Sequence, residues 1–181
     1  MKLGLTVLRA TLGAVFFAHG TQKLFGWFGG RGLEGMGRAW DSMGLRPGKR
    51  NALIAGSAET GAAALLASGF LTPVGTAAVT GVMSQAVRTV HLENGFFVTE
   101  GGYEFNLALV AAAFALADVG PGPWSLDEKL GLRMSGPLWA VAALGAGLAG
   151  PKLLEQLAPP AEPEPAVEPQ RAPEPVPVAA V

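Results

Sequence analysis

The chain has no cysteine and only two histidines among its 181 residues. The absence of cysteine excludes disulfide bonds, thiol catalysis, cysteine-ligated zinc and iron–sulfur clusters. Two histidines are too few for a histidine-rich metal site, so we assign no metal ligand. The sequence therefore offers no thiol chemistry, and its two histidines could serve as metal ligands only together with carboxylates.

Charged residues are also scarce. They make up 15% of the chain, whereas soluble domains carry about 25%, and half of the chain is hydrophobic. The net charge is -1, so no basic surplus indicates nucleic-acid binding. This composition is typical of a membrane protein and predicts the lipid bilayer, rather than a nucleic acid, as its partner.

Five apolar stretches approach the length of about 20 residues that a transmembrane helix needs. They cover residues 3–22, 52–71, 74–90, 103–119 and 137–157. They are rich in alanine, leucine and glycine and lack the strict alternation of barrel strands. We predict an all-α, multi-pass protein of the cell membrane, with a four-helix transmembrane bundle at its core.

The C-terminal part of the chain holds two further features. The stretch 137–157 is predicted to be a fifth hydrophobic helix; because Pro151 interrupts it after 14 residues, it is either a short span or an interfacial helix. Residues 158–181 contain eight of the 14 prolines and no aromatic residue. This composition predicts a disordered tail.

The first connection, residues 26–51, contains apolar residues at helical spacing. Leu33, Met36, Trp40 and Met43 recur every three or four residues. This pattern predicts a short amphipathic helix, which either lies at the membrane surface as a connector or forms a lid over a site.

Polar residues collect toward one membrane face if consecutive spans are antiparallel. The candidate pocket consists of His19, Lys23, Glu59, Gln85, Arg88, Glu104 and Asn106. We expect Glu100 or Glu104 to neutralise Arg88. The turn at residues 70–73 on the opposite face carries no charge, and Arg9 is expected to extend toward the N-terminal face.

Glu59 is the central residue of this candidate pocket. A charge at the centre of a membrane helix costs about 2.5–3.5 kcal/mol, so we expect Glu59 to contact His19, Lys23 or Arg88. Two interpretations remain open. The group is an interhelical polar clamp, or a carboxylate–imidazole pair that exchanges protons or binds a ligand.

Several of these residues form motifs in a particular order. His19-Gly20 precedes Lys23-Leu24-Phe25-Gly26, a lone Glu59 follows in the second stretch, and Asn94-Gly95-Phe96-Phe97 and Gly101-Gly102-Tyr103-Glu104 precede the fourth. Over about residues 3–119 the chain resembles the DoxX family. The resemblance implies a small integral protein of a bacterial or archaeal membrane, such as the bacterial inner membrane. It also implies a neighbourhood of quinone, sulfur or oxidative-stress redox proteins rather than a defined reaction.

Three functions are consistent with these features. The favoured one is a noncatalytic accessory subunit that anchors or supports a membrane redox complex through membrane-bound or soluble redox partners. The alternative is a quinone-binding subunit of a quinone-linked oxidoreductase, with quinone as the cofactor and His19 and Glu59 at its site. A small-solute transporter is disfavoured because the chain shows no inverted repeat.

Overall fold

A computed structural model of the protein describes residues 3–157. Within that range the chain is all-helical and has no strand, which confirms the predicted class. The helices are α1 (Leu3–Phe25), α2 (Gly32–Ser42), α3 (Gly48–Ser68), α4 (Thr72–Ala86), α5 (Glu104–Val119), α6 (Leu126–Lys129) and α7 (Pro137–Leu157). The predicted tail, 158–181, lies outside the described residues.

Helix boundaries differ from the predicted stretches where a local signal ends or starts a helix. α3 begins at Gly48 instead of Ala52, because Pro47 precedes it in an extended conformation. α1 continues to Phe25 and ends before Gly26, whose φ of 75° no longer fits a right-handed helix. α7 is one helix of 21 residues that passes through Pro151.

The long helices that form the core alternate in direction. In α1, Gly13 lies against Ala67 and Gly20 lies against Thr60, so α1 and α3 are antiparallel. The chain then reverses in a short turn, residues 69–71, before α4.

The direction of α5 follows from two hydrogen bonds to α4. Thr76 Oγ1 donates to Ala113 O at 2.9 Å, and Asn106 Nδ2 contacts Met83 Sδ at 3.3 Å. As the residue number rises in one helix it falls in the other, so α4 and α5 are antiparallel.

The fifth long helix, α7, starts beside the end of α5, because Gly136 N donates to the carbonyl oxygens of Ala117 and Asp118. The end of the molecule at which α1, α4 and α7 finish is called the Lys23 end. We call the other the Asp127 end.

Apolar side chains from four helices form the core. α1 packs on α3, α3 on α4 and α4 on α5, with a smaller contact between α1 and α5, while α7 packs against α4 and α5. The buried cluster contains Leu12, Phe16, Ala62, Ala63, Leu66, Val79, Met83, Leu109, Ala113 and Leu116.

Two helices are long and apolar enough by themselves to cross a membrane. They are α1 and residues 137–154 of α7. α4 has 15 residues and α5 has 16, fewer than the roughly 20 that span a typical hydrocarbon core. α3 has 21 residues but carries Lys49 and Arg50 in its first turn and Glu59 in its middle.

The close approach of α1 and α3 yields a prediction about two glycines. A Cβ at Gly20 would overlap Thr60, whereas a Cβ at Gly61, on the outer side of α3, would meet nothing within 4 Å. Gly20→Ala is expected to lower the free energy of unfolding by about 1–3 kcal/mol, because the helices must separate. Gly61→Ala should leave it unchanged or raise it slightly.

Thermal unfolding of both variants in the same detergent measures this difference. Equal losses of unfolding free energy in the two variants would contradict a tight contact between α1 and α3 at Gly20.

Candidate functional site

The central feature of the candidate site is an ion pair between α1 and α3. Lys23 Nζ lies 2.9 Å from Glu59 Oε1 and 2.7 Å from Glu59 Oε2. The Glu59 side chain is 2% exposed and that of Lys23 17% exposed. The predicted contact of Glu59 with a cationic neighbour is therefore present, and its partner is Lys23.

Small residues bring the two charged groups together. A Cβ at Gly56 would lie 3.2 Å from Lys23 Cβ, so the base of the lysine side chain rests on the backbone of α3. Because α3 begins at Gly48, Glu59 lies roughly 16 Å into its helix, deeper than a start at Ala52 implies. The apolar stem of Lys23 reaches inward along α3 and carries the ammonium to this depth.

His19 lies one turn before Lys23 on α1, and its side chain is partly exposed to the surroundings. Among the described residues, no hydrogen bond joins the His19 ring to Glu59. The backbone carbonyl oxygen of His19 instead lies 3.4 Å from Lys23 Nζ. The contact that forms is therefore between a carboxylate and an ammonium, and the imidazole lies beside it.

The remaining candidate residues form contacts of their own. Arg88 Nη2 donates to Gln85 Oε1 at 2.7 Å, and Glu104 Oε1 accepts a hydrogen bond from Val98 N at 2.8 Å. Asn106 is buried between α4 and α5. The expected neutralisation of Arg88 by Glu100 or Glu104 is not seen among the described ion pairs, because Glu104 instead stabilises the loop before α5.

An apolar groove lies beside Glu104 on the outer side of α5, with a volume of about 510 Å³. Its lining consists of Phe96, Val98, Glu104, Phe105, Leu107, Ala108 and Ala111. Of the seven candidate residues, Glu104 is the member that lines it. This groove therefore differs from the Lys23–Glu59 pair in both position and polarity.

A second polar cluster occurs at the Asp127 end. Asp127 is 2% exposed, and its carboxylate accepts hydrogen bonds from Leu71 N, at 2.8 Å, and from Thr72 N and Thr72 Oγ1, at 3.2 and 3.0 Å. It thus caps the N-terminus of α4. The turn at residues 70–73 itself carries no charge, as expected, but α6 brings the carboxylate of Asp127 against it, so polar groups are not confined to the other end.

The sequence contains a signal for α6 that hydropathy does not reveal. Ser125 and Glu128 have the spacing of a capping box, and Ser125 Oγ accepts from Glu128 N at 3.2 Å. This pattern predicts a helix start but does not reveal what Asp127 caps.

Arg9 belongs to the same end of the molecule. It is 4% exposed, and its Nη2 donates to Pro123 O at 3.3 Å. Its guanidinium extends toward the N-terminal face, as expected, but it does not reach solvent there because the segment after α5 covers it. Its Nε and Nη1 are buried without a hydrogen-bond partner in residues 3–157.

The predicted amphipathic helix of the first connection is present as α2, which packs against α1 and α3. Lys49 on α3 forms an exposed ion pair with Glu34 on α2, and this contact holds the pKa of Glu34 below its ordinary value. Asp41 accepts a hydrogen bond from Gly48 N at 2.7 Å. Both ends of α2 are thereby attached to the start of α3.

Comparison with known proteins gives one family. The model of the family described as DoxX matches residues 4–92, which include α1 to α4 and therefore the Lys23–Glu59 pair. The match ends before the motif at Asn94 and before α5. No curated protein and no solved structure matches the chain.

The two ion pairs differ in burial, and this difference yields a prediction. Lys23→Met leaves the carboxylate of Glu59 buried without its cation and is expected to cost about 3–5 kcal/mol. Lys49→Met removes the partner of an exposed glutamate and should cost at most about 1 kcal/mol. Circular dichroism of both variants during unfolding in detergent measures the two costs. If Lys23→Met loses no more unfolding free energy than Lys49→Met, the structural role of the buried pair is contradicted.

Proposed function

Because residues 4–92 of the chain belong to the DoxX family of membrane proteins, we propose that the protein is a noncatalytic, multi-pass membrane subunit that supports a redox complex. The observation that carries the noncatalytic role is the closed Lys23–Glu59 ion pair. The redox class of the partner comes from the resemblance to the family.

The exposed surfaces of the helices support several membrane crossings. Large apolar side chains point outward on α3, α5 and α7, at Leu53, Ile54, Phe105, Leu107, Leu138, Val141 and Leu148. α5 has no charged residue between Glu104 and Asp118. Such extensive apolar surface is unusual on a soluble monomer and is what lipid tails cover.

The shortness of α4 and α5 is compatible with this proposal. A π-helical turn, Val87–His91, continues α4 by five residues. Bilayers also adapt to short helices by local thinning, at a modest cost in free energy. The four-helix core then crosses the membrane, and α7 provides a fifth crossing beside α4 and α5.

The geometry of the ion pair favours a structural clamp over a proton-exchange site. Both carboxylate oxygens of Glu59 accept hydrogen bonds from one ammonium group. For the carboxylate to exchange protons or bind a quinone, this pair must first open within an apolar contact. A clamp requires only that the two helices stay together.

Surfaces for a partner are available at the Lys23 end. Residues 92–100 are all exposed, and Phe96 packs edge-on against Phe97 and Tyr103. These contacts hold exposed aromatic rings in fixed positions, as protein interfaces often do. We assign this loop to contacts with the partner.

Replacing the charged pair by apolar residues tests the proposal. In Lys23→Met/Glu59→Leu both charges are removed and similar volume is retained, so the helices should stay packed. We expect the double variant to be membrane-integrated and to co-purify with the same redox proteins as the wild type. The redox activity of membranes from cells that carry it should lie within about twofold of wild type.

The single variant Glu59→Leu is the control, because it leaves Lys23 without its partner and should reduce the amount of folded protein. Loss of redox activity in a double variant that is folded and retains its partners would overturn the proposal. That result would favour the quinone-binding alternative at His19 and Glu59.

A further inference from the structure

The first connection carries an excess of positive charge at the Lys23 end. Residues 26–51 contain five basic and two acidic residues. Both acidic residues are already engaged, because Glu34 pairs with Lys49 and Asp41 accepts from Gly48 N. Glu34 also interacts electrostatically with Arg38, but the five basic residues outnumber the two acidic ones by three, so the connection is net positive.

Two arginines lie on one side of this segment, one immediately before α2 and one within it. Arg31 and Arg38 are seven residues apart, which is close to two helical turns, and both are exposed. Leu33, Met36 and Trp40 lie on the opposite face and are half-buried, and Gly37 is buried against Lys49. α2 thus packs by its apolar face, and its opposite side exposes Arg31 and Arg38 together with Glu34, which is paired with Lys49.

Exposed aromatic residues lie in the segment that precedes α2. Phe25, Trp27 and Phe28 are more than half exposed, and the rings of Phe25 and Trp27 are 5.4 Å apart. The backbone between them and α2 folds back on itself, with Gly26 against Gly32, which brings the start of α2 close to the segment that carries these rings. Aromatic rings at the end of an apolar helix are typical of the level of lipid headgroups.

We propose that Arg31 and Arg38 bind the phosphate of an anionic phospholipid, while Phe25, Trp27 and Phe28 contact the upper part of its acyl chains. The proposal rests on the membrane location in the proposed function. Guanidinium groups suit phosphate because their planar donors match its oxygens. An acidic protein segment would complement the arginines but would leave the neighbouring aromatic rings unexplained, so the observations favour a lipid.

The test uses the purified full-length protein in a mild neutral detergent. Phosphatidylglycerol and phosphatidylcholine with the same acyl chains are added separately, and bound lipid is counted by native mass spectrometry. We expect wild type to prefer phosphatidylglycerol, and raised salt to weaken this preference. Each arginine near a membrane surface contributes about fivefold, so Arg31→Gln/Arg38→Gln should reduce the affinity for phosphatidylglycerol by about 25-fold.

Lys129→Gln/Arg133→Gln provides the matched control, because it removes two exposed basic residues from the Asp127 end. This control should keep the wild-type preference. Absence of a preference in the wild type, or an equal loss in both double variants, overturns the proposal. Membrane integration is measured separately by carbonate extraction: a protein that stays in the membrane without lipid preference refutes only the lipid site, whereas an extracted protein refutes the proposed function.

Discussion

The rest of the structure depends on the close packing of α1 against α3. Gly13, Gly20 and Gly56 allow the two backbones to approach, since a side chain at any of them would collide with the neighbouring helix. Lipid tails are as apolar as the surfaces of membrane helices, so the hydrophobic effect does not drive such helices together. Close packing of this kind holds them together instead. At this separation Lys23 reaches Glu59, so one ion pair fixes how the two helices align along their axes.

The positions of the long helices could be predicted from the sequence, because apolar length is a strong signal. The Lys23–Glu59 contact was also within reach, since a lone buried carboxylate requires a cation and few were near. The cap that Asp127 provides could not be predicted. It depends on how the segment after α5 folds back across the bundle, and neither hydropathy nor helical spacing describes that path.

Features that hydropathy and helical spacing do not describe also decide the surroundings of Arg9 and of the candidate residues. An arginine in an apolar stretch is commonly expected to reach toward the interface, yet Arg9 is covered by the segment that contains Pro123. The antiparallel order of helices correctly placed Gln85, Arg88 and Glu104 toward one end. The order of helices could not show that these three side chains would form hydrogen bonds with groups close to them, because the rotation of a helix about its axis decides which way its side chains face.

The two ends of the molecule consequently have different roles. At the Asp127 end, buried polar groups tie the connections to the helices. Both ends expose basic and aromatic side chains, but those at the Lys23 end include a connection with five basic and two acidic residues. In the proposed function, the bundle is fixed internally and the Lys23 end is available for lipid and partner proteins.

The central claim is that the helices cross the membrane alternately, and the lack of native cysteine allows a direct measurement. Single cysteines are introduced at Ser42 and Glu100, at the Lys23 end, and at Ser135, at the Asp127 end. They are then labelled with a membrane-impermeant maleimide in intact and in disrupted cells. The account predicts that Ser42→Cys and Glu100→Cys are labelled from one side of the membrane and Ser135→Cys from the other. Labelling of all three from the same side would contradict it.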